Sequence, residues 1–266
     1  MNKLTKDTFF LIAEKLDLPD LLNFCESNEN KLSNDSFWLN KIRKDFPDDV
    51  SETPKERYER LYWTRLIDKI KFEGSIKELL NAKFLDLYDN QLTEMPKELG
   101  NLVNLVKLDL YDNQLTEIPI ELGNLVNLKE LNLDGNELTE IPGEIGNLTN
   151  LQTLSLSYNQ LTEIPKELGN LTNLKFLYLS YNKLTGIPGE IGNLTNLQTL
   201  SLENNQLTEI PKELGNIVNL KNFYLSNNKL TEIPEEIINI TKLREILLHN
   251  NQLIRIPKKL GLSIGY

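Results

Sequence analysis

From Leu85 onward, apolar residues return on a fixed schedule of 23 positions. The run LDLYDNQLTEMPKELGNLVNLVK starts at Leu85, and its counterparts start at Leu108, Leu131, Leu154, Leu177, Leu200, Phe223 and Ile246. Inside each unit the L-x-L alternation, as in Leu108 and Leu110 or Leu154 and Leu156, has a period of two and predicts a short strand with one buried face. One unit cannot bury that face alone. The units must therefore stack, which predicts a solenoid with a parallel sheet along one side. With strands about 4.8 Å apart, eight turns extend roughly 35–40 Å.

The polar positions keep the same period. Asn recurs just after each strand, at Asn90, Asn113, Asn136, Asn159, Asn182, Asn205, Asn228 and Asn251. Its side chain suits a ladder of hydrogen bonds to loop backbone in an otherwise buried turn. Pro follows six residues later, from Pro96 to Pro257. Because proline cannot occupy a central strand, it marks the return side. The Gly-Asn pairs, from Gly100-Asn101 to Gly215-Asn216, read as the turn before the next strand.

Ahead of the repeats the spacing becomes helical. Thr5 is placed to cap a helix with Phe9, Ile12, Ala13 and Leu16 on one face. Asp17-Leu18-Pro19-Asp20 ends it and opens a second helix carrying Leu21, Leu22, Phe24 and Cys25. A third runs from about Asp35 with Phe37, Trp38 and Ile42, and stops at Phe46-Pro47. Thr53-Pro54-Lys55-Glu56 reads as a capping box with proline at the first helical position. The helix it opens spaces Tyr58, Leu61, Tyr62, Arg65, Leu66, Lys69 and Ile70 three and four apart. A short helix over residues 75–80 is expected to lead into the first strand and to cap the solenoid's open end. The expected domains are a helical module over residues 1–46, a helical linker and cap over 47–81, and the repeats over 82–266.

The repeated L-x-x-L-x-L-x-x-N-x-L-T-E-I-P, with its following E-L-G-N-L-T-N-L, closely resembles the leucine-rich-repeat family over residues 82–260. That resemblance implies an α/β fold: a right-handed, curved solenoid with a parallel sheet on its concave face, here behind a small all-helical module. The first segment, L-x(4)-F-x-x-I-x(3)-L-D-L-P-D-L-L followed by S-F-W-L-N-K-I, resembles the F-box. Leu4 takes the place of its leading leucine, Phe9 and Ile12 its apolar helix positions, and Leu16 to Leu21 its L-D-x-P-D-L core; Phe24, Cys25 and Trp38 match later apolar positions. Thr5 stands where proline usually follows the first leucine, and Asn28-Glu29-Asn30 replaces the middle tryptophan or arginine-rich stretch. The resemblance implies docking on a Skp-type adaptor of a cullin ubiquitin ligase while the repeats hold the substrate. Leu4, Ile12, Leu16, Pro19, Leu21 and Trp38 would belong to that adaptor-binding module. The Asn- and Lys-rich, Ala-poor style is similar to F-box/repeat proteins of large DNA viruses, which implies a host-cytoplasmic setting. The alternative reading keeps these helices as a cap on a scaffold of intracellular signalling, with no ligase role.

Positions that stay constant between repeats build the solenoid; those that change are free to specify a partner. Three outward strand columns vary: Phe84, Lys107, Glu130, Thr153, Phe176, Thr199, Asn222, Glu245; then Asp86, Asp109, Asn132, Ser155, Tyr178, Ser201, Tyr224, Leu247; then Tyr88, Tyr111, Asp134, Ser157, Ser180, Glu203, Ser226, His249. Tyr158 and Tyr181 add two rings beside them. Exposed tyrosine and phenylalanine anchor protein interfaces, although aromatic residues also simply suit strands. The expected partner surface is Phe176, Tyr178, Tyr181 and Tyr224, with Asp86, Tyr88, Asp109 and Tyr111 toward its acidic end.

Composition narrows the function. The chain of 266 residues carries 29 Lys+Arg and 39 Asp+Glu, a net charge of −10, which disfavours a phosphate backbone and favours a basic or neutral protein partner. Residues 79–266 hold 15 of the basic and 23 of the acidic groups, so most of the negative charge belongs to the repeats. One Cys and one His leave little for disulfides, metal binding or imidazole catalysis. Cys25 reads as a small core residue, and His249 falls in the last repeat, far along the chain. Glu235-Glu236 reads as solvated charge. The Asn-x-Thr triplets at Asn147, Asn170, Asn193 and Asn239 match glycosylation acceptors, but they fall on repeat positions and no signal peptide is recognisable, so they read as scaffold. The expectation is a monomeric cytoplasmic binding protein without cofactor, metal or enzymatic activity.

Overall fold

The computed structural model describes residues 60–257 and the backbone of residues 54–59 and 264–265. The chain divides into two compact units, Met1–Leu79 and Leu80–Tyr266. The first three expected helices, with Leu4, Ile12, Leu16, Pro19, Leu21, Cys25 and Trp38, lie outside the described residues.

Helix α1 (Pro54–Lys69) opens on a proline whose fixed φ suits a first helical turn. Leu66 on this helix and Ile70 just beyond it are both buried. Lys71, at φ 53°, then closes it while the Phe72 N–H returns to the Ile67 carbonyl at 2.9 Å. Helix α2 (Ile76–Asn81) begins one residue later than its sequence suggests, because Ser75 is the cap. Ser75 Oγ accepts the Glu78 N–H at 3.3 Å, and Glu78 Oε2 accepts the Ser75 N–H at 2.7 Å. That reciprocal pair is a capping box.

The repeats form one parallel sheet whose strand order equals the chain order. Its strands are β1 (Phe84–Asp86), β2 (Lys107–Asp109), β3 (Glu130–Asn132), β4 (Thr153–Ser155), β5 (Phe176–Tyr178), β6 (Thr199–Ser201), β7 (Asn222–Tyr224) and β8 (Glu245–Leu247). A ninth, β9 (Ile264–Gly265), extends the eight that the repeat predicts. Each partner lies 23 residues along, as in Leu131↔Leu154, until Ile246↔Ile264 shortens the last step. The central leucine of each strand, together with Phe223 and Ile246, is at most 2% exposed. Each such side chain contributes roughly 1.5–3 kcal/mol on burial.

The post-strand asparagines join successive turns. Asn159 Nδ2 donates to the carbonyls of Leu133 (2.9 Å), Leu156 (3.2 Å) and Ser157 (3.2 Å), and its Oδ1 accepts the Leu138 N–H at 3.0 Å. Asn113, Asn136, Asn182, Asn205, Asn228 and Asn251 repeat this pattern, and the Asn90 N–H donates to Asn113 Oδ1. A second ladder runs on the outside. Asn104, Asn127, Asn150, Asn173, Asn196 and Asn219 each donate from Nδ2 to a carbonyl 24 residues earlier, from Leu80 to Thr195.

On the return side the prolines from Pro96 to Pro234 each precede a 3₁₀ turn, from Lys97–Asn101 to Glu235–Asn239. Proline's missing N–H costs nothing there, and its carbonyl accepts the first bond, as from Leu99 to Pro96 at 3.0 Å. The glycines fall in these turns, as expected, and the close approach of the next turn is what requires a glycine there. Gly100, Gly123, Gly146, Gly169, Gly192 and Gly215 are buried inside these turns, and none has positive φ. A Cβ on Gly123 would meet the Glu144 carbonyl oxygen of the next turn at 2.7 Å.

Candidate functional site

The outward side of the sheet is a mixed floor of small polar residues, rings and carboxylates. Strands only three residues long set each outward side chain beside its counterpart one repeat away. Serine dominates the middle: Ser157, Ser180, Ser201 and Ser226 are buried, and Ser180 Oγ lies 2.6 Å from Ser201 Oγ. Strand β6 is buried along its whole length, Thr199 and Ser201 included, between β5 with Phe176 and Tyr178 and β7 with Asn222 and Tyr224. Phe176, Tyr178 and Tyr224 are half-buried. The Tyr224 hydroxyl donates to Glu245 Oε2 at 2.9 Å. Burial first, then that hydrogen bond, push the Tyr224 phenol up to about 12.

A different set of rings stands out from the surface. Tyr88 and Tyr111, 52% and 41% exposed, stack with centroids 5.3 Å apart and planes 10° apart. Tyr158 and Tyr181, 57% and 46% exposed, stack at 4.3 Å and 9°. Desolvation raises the Tyr88 and Tyr158 phenols above their ordinary value. The structure therefore pairs Tyr181 with Tyr158, which the residue spacing had left unassigned, and pairs Tyr88 with Tyr111.

Tyr158 and Tyr181 occupy a backbone position that every repeat bends the same way. Asp89, Asp112, Gly135, Tyr158, Tyr181, Asn204, Asn227 and Asn250, each just before its ladder asparagine, all have positive φ, between 49° and 66°. Aspartate, asparagine and glycine tolerate that left-handed region; tyrosine does so at a cost of roughly 1–2 kcal/mol. The recurrence of Asp, Asn and Gly at this one position was the signal available in the sequence.

Charge on this face is lopsided. Its three outward columns and the left-handed column hold Asp86, Asp89, Asp109, Asp112, Glu130, Asp134, Glu203 and Glu245 against Lys107 and His249. Lys107 Nζ lies 3.5 Å from Glu130, and His249 Nδ1 lies 2.9 Å from Ser226 Oγ. Burial, opposed by the Ser157 N–H and assisted by the Asp109 charge, pushes the Asp134 carboxyl up to about 6. A shallow depression of about 540 Å³ lies between Phe84, Asp86, Lys107, Asp109 and Glu130. Another, of about 570 Å³, lies away from the strands among Glu209, Glu213, Glu232, Glu235, Glu236, Lys212 and Arg255. Among the described residues no three His, Cys, Asp or Glu side chains are grouped to hold a metal ion. Among them, too, no helix is long and apolar enough to cross a membrane.

A parallel sheet of identical turns, with constant interior and variable outward columns, defines a leucine-rich-repeat interaction scaffold. A family profile described as a leucine-rich repeat region matches residues 120–205, and a leucine-rich-repeat profile matches residues 81–138 and 195–253. Among solved structures, internalin C2 from Listeria monocytogenes is 30% identical, with a TM-score of 0.61 over 72% of this chain and 84% of that one. A leucine-rich-repeat protein of Leptospira interrogans is 38% identical, with a TM-score of 0.58 over 70% of this chain and 54% of that one. The plant peptide hormone receptor RGFR1, solved in complex with RGF2, is 40% identical, with a TM-score of 0.62 over 66% of this chain and 30% of that one. This chain belongs to the leucine-rich-repeat family. It spans about half the length of the Leptospira protein and under a third of the plant receptor. No curated protein matches it.

Proposed function

We propose that this protein is a non-catalytic receptor for another protein, which it holds against the outward face of its sheet. The observation that carries the reading is the contrast between the two faces. The interior columns are leucine with few exceptions, while the outward columns change at nearly every turn and gather tyrosines and carboxylates. Rings and acids in that setting suit a basic or neutral protein surface and repel a phosphate backbone. The plant receptor was solved with RGF2 bound, which supports a peptide- or protein-binding role for this architecture.

The finer proposal joins this face to the F-box-like first segment. Residues 1–46 dock on a Skp-type adaptor of a cullin ubiquitin ligase, in the cytoplasm, and the repeats bring a monomeric receptor's target within reach of the ubiquitin-loaded enzyme. The protein then acts by raising local concentration and forms no covalent bond itself. Capture of a purified Skp-type adaptor by the full chain tests the docking arm, with Leu16→Asp and Leu21→Asp expected to abolish it. No capture, or capture that survives both substitutions, leaves a plain scaffold. The target arm is tested separately: Tyr178→Ala and Tyr224→Ala should weaken target capture while the unfolding midpoint stays within the range of ordinary surface changes.

A further inference from the structure

We propose that the outward face carries a docking groove for an arginine-bearing basic peptide, centred on Gly135 between Tyr111 and Tyr158. The inference deepens the receptor reading above: it rests on the outward face being the binding face, and not on adaptor docking. Tyr88 stacks on Tyr111 and Tyr158 stacks on Tyr181. Each pair therefore covers one face of each inner ring, and the other faces of Tyr111 and Tyr158 look toward the turn between them. That turn carries Gly135, the one residue in the left-handed column without a side chain. A Cβ there would already meet Tyr111 Cε2 at 3.3 Å. The proposed slot is the space over Gly135 between these two rings.

Charge complementarity decides the occupant. Asp109 and Asp112 belong to the turn that carries Tyr111 and Asp134 to the turn that carries Gly135, with Asp86 and Asp89 one turn further. The face's two basic side chains, Lys107 and His249, are engaged with Glu130 and Ser226. A nucleic acid or acidic peptide is repelled here, and a neutral sugar leaves the carboxylates uncompensated. A guanidinium is flat enough to stack against a ring face while its N–H fork reaches a carboxylate, whereas an ammonium is a compact point charge that neither stacks nor binds a carboxylate through a planar fork.

The probes are three fluorescein-labelled peptides of equal length, alternating glycine with arginine, lysine or glutamate, titrated into the full chain at physiological salt and read by fluorescence polarisation. The arginine peptide should bind about tenfold more tightly than the lysine peptide, and the glutamate peptide not at all. Gly135→Asn, which fills the slot with a residue suited to positive φ, and Tyr158→Asn should each weaken arginine-peptide binding about tenfold. Val126→Thr, on the return side where other repeats already carry threonine, should leave it unchanged. Equal binding of arginine and lysine peptides, indifferent to Gly135→Asn and Tyr158→Asn, would mean charge attraction alone and overturns the proposal. Lost adaptor capture beside intact arginine-peptide binding removes the ligase reading only. The reverse result removes this inference only.

Discussion

Replacing Asn159 by alanine asks how the ladder carries load. The side chain is 8% exposed and makes four hydrogen bonds, so a count of bonds alone suggests four stranded groups. At roughly 1–3 kcal/mol for each buried orphan, that count comes to about 4–12 kcal/mol, comparable to the whole stability of a domain. The structure distributes the damage differently, because neighbouring rungs overlap. Leu133 O keeps Asn136 Nδ2 at 3.1 Å, Leu156 O keeps Asn182 Nδ2 at 2.9 Å, and Ser157 O keeps the Gly135 N–H at 3.0 Å. Only the buried Leu138 N–H loses its partner. One orphan at roughly 1–3 kcal/mol, plus a small cavity and three weakened shared acceptors, gives a loss of about 2–4 kcal/mol.

Urea unfolding followed by far-UV circular dichroism measures that loss, with the slope m reported because stacked repeats can unfold in parts. Asn159→Asp separates donor from acceptor. Its carboxylate still accepts the Leu138 N–H but, when ionised, has nothing to offer three carbonyls. The native state therefore favours the protonated acid and raises its pKa, so the variant is most stable below the ordinary carboxylate range and loses stability as pH rises through the raised value. A loss for Asn159→Ala below about 1 kcal/mol, or an aspartate variant whose deficit from wild type is the same at pH 4 and pH 7, refutes the shared-acceptor account.

Gly169→Ala sets two effects against each other: alanine restrains the unfolded chain, a gain of about 0.4–1 kcal/mol, but its Cβ would meet the Glu190 carbonyl oxygen at 2.5 Å. The clash should win, with a net loss of about 1–3 kcal/mol by urea unfolding, whereas Gly186→Ala, with open space around it, should lose nothing. Asp134, whose carboxyl is pushed up to about 6 chiefly by burial, adds stability that is present below the ordinary carboxylate range and lost as pH rises through about 6. Asp134→Asn should therefore remove a downward slope in stability between about pH 4 and 6, and a wild-type-minus-variant difference that stays flat over that window counts against the reading.

The solenoid was legible because its signal is periodic: one L-x-L pair is ambiguous, but eight in phase leave no other packing for the apolar face. What escaped was whatever depends on the distance between turns. Gly-Asn looks the same in sequence whether the glycine bends the chain or lets the next turn approach, and only the nearness of Glu144 to Gly123 distinguishes them. The outer ladder from Asn104 to Asn219 was equally periodic, but its bonds reach a carbonyl 24 residues back and nothing local announces them. The outward columns were readable as lists of residues. The pairing of Tyr158 with Tyr181 was not, since it depends on a backbone turn that lifts both rings off the strand.

That lifted pair poses the sharpest question about what the frame requires. The Asn182 rung beside Tyr181 has bonds of 2.9, 3.1 and 3.3 Å, the same as the Asn205 rung beside Asn204, so the backbone does not relax around the tyrosine. Each ring bears roughly 1–2 kcal/mol for left-handed backbone. Against this stand about 0.5–1.5 kcal/mol of stacking and about 1 kcal/mol for the part of each exposed ring that the stack covers. The terms nearly cancel, so folding is indifferent to the pair. Tyr158→Asn combined with Tyr181→Asn should stay within about 1 kcal/mol of wild type in urea while losing partner binding. A loss beyond about 2 kcal/mol would make the rings part of the frame, and their position on the acidic face would then need no ligand to explain it.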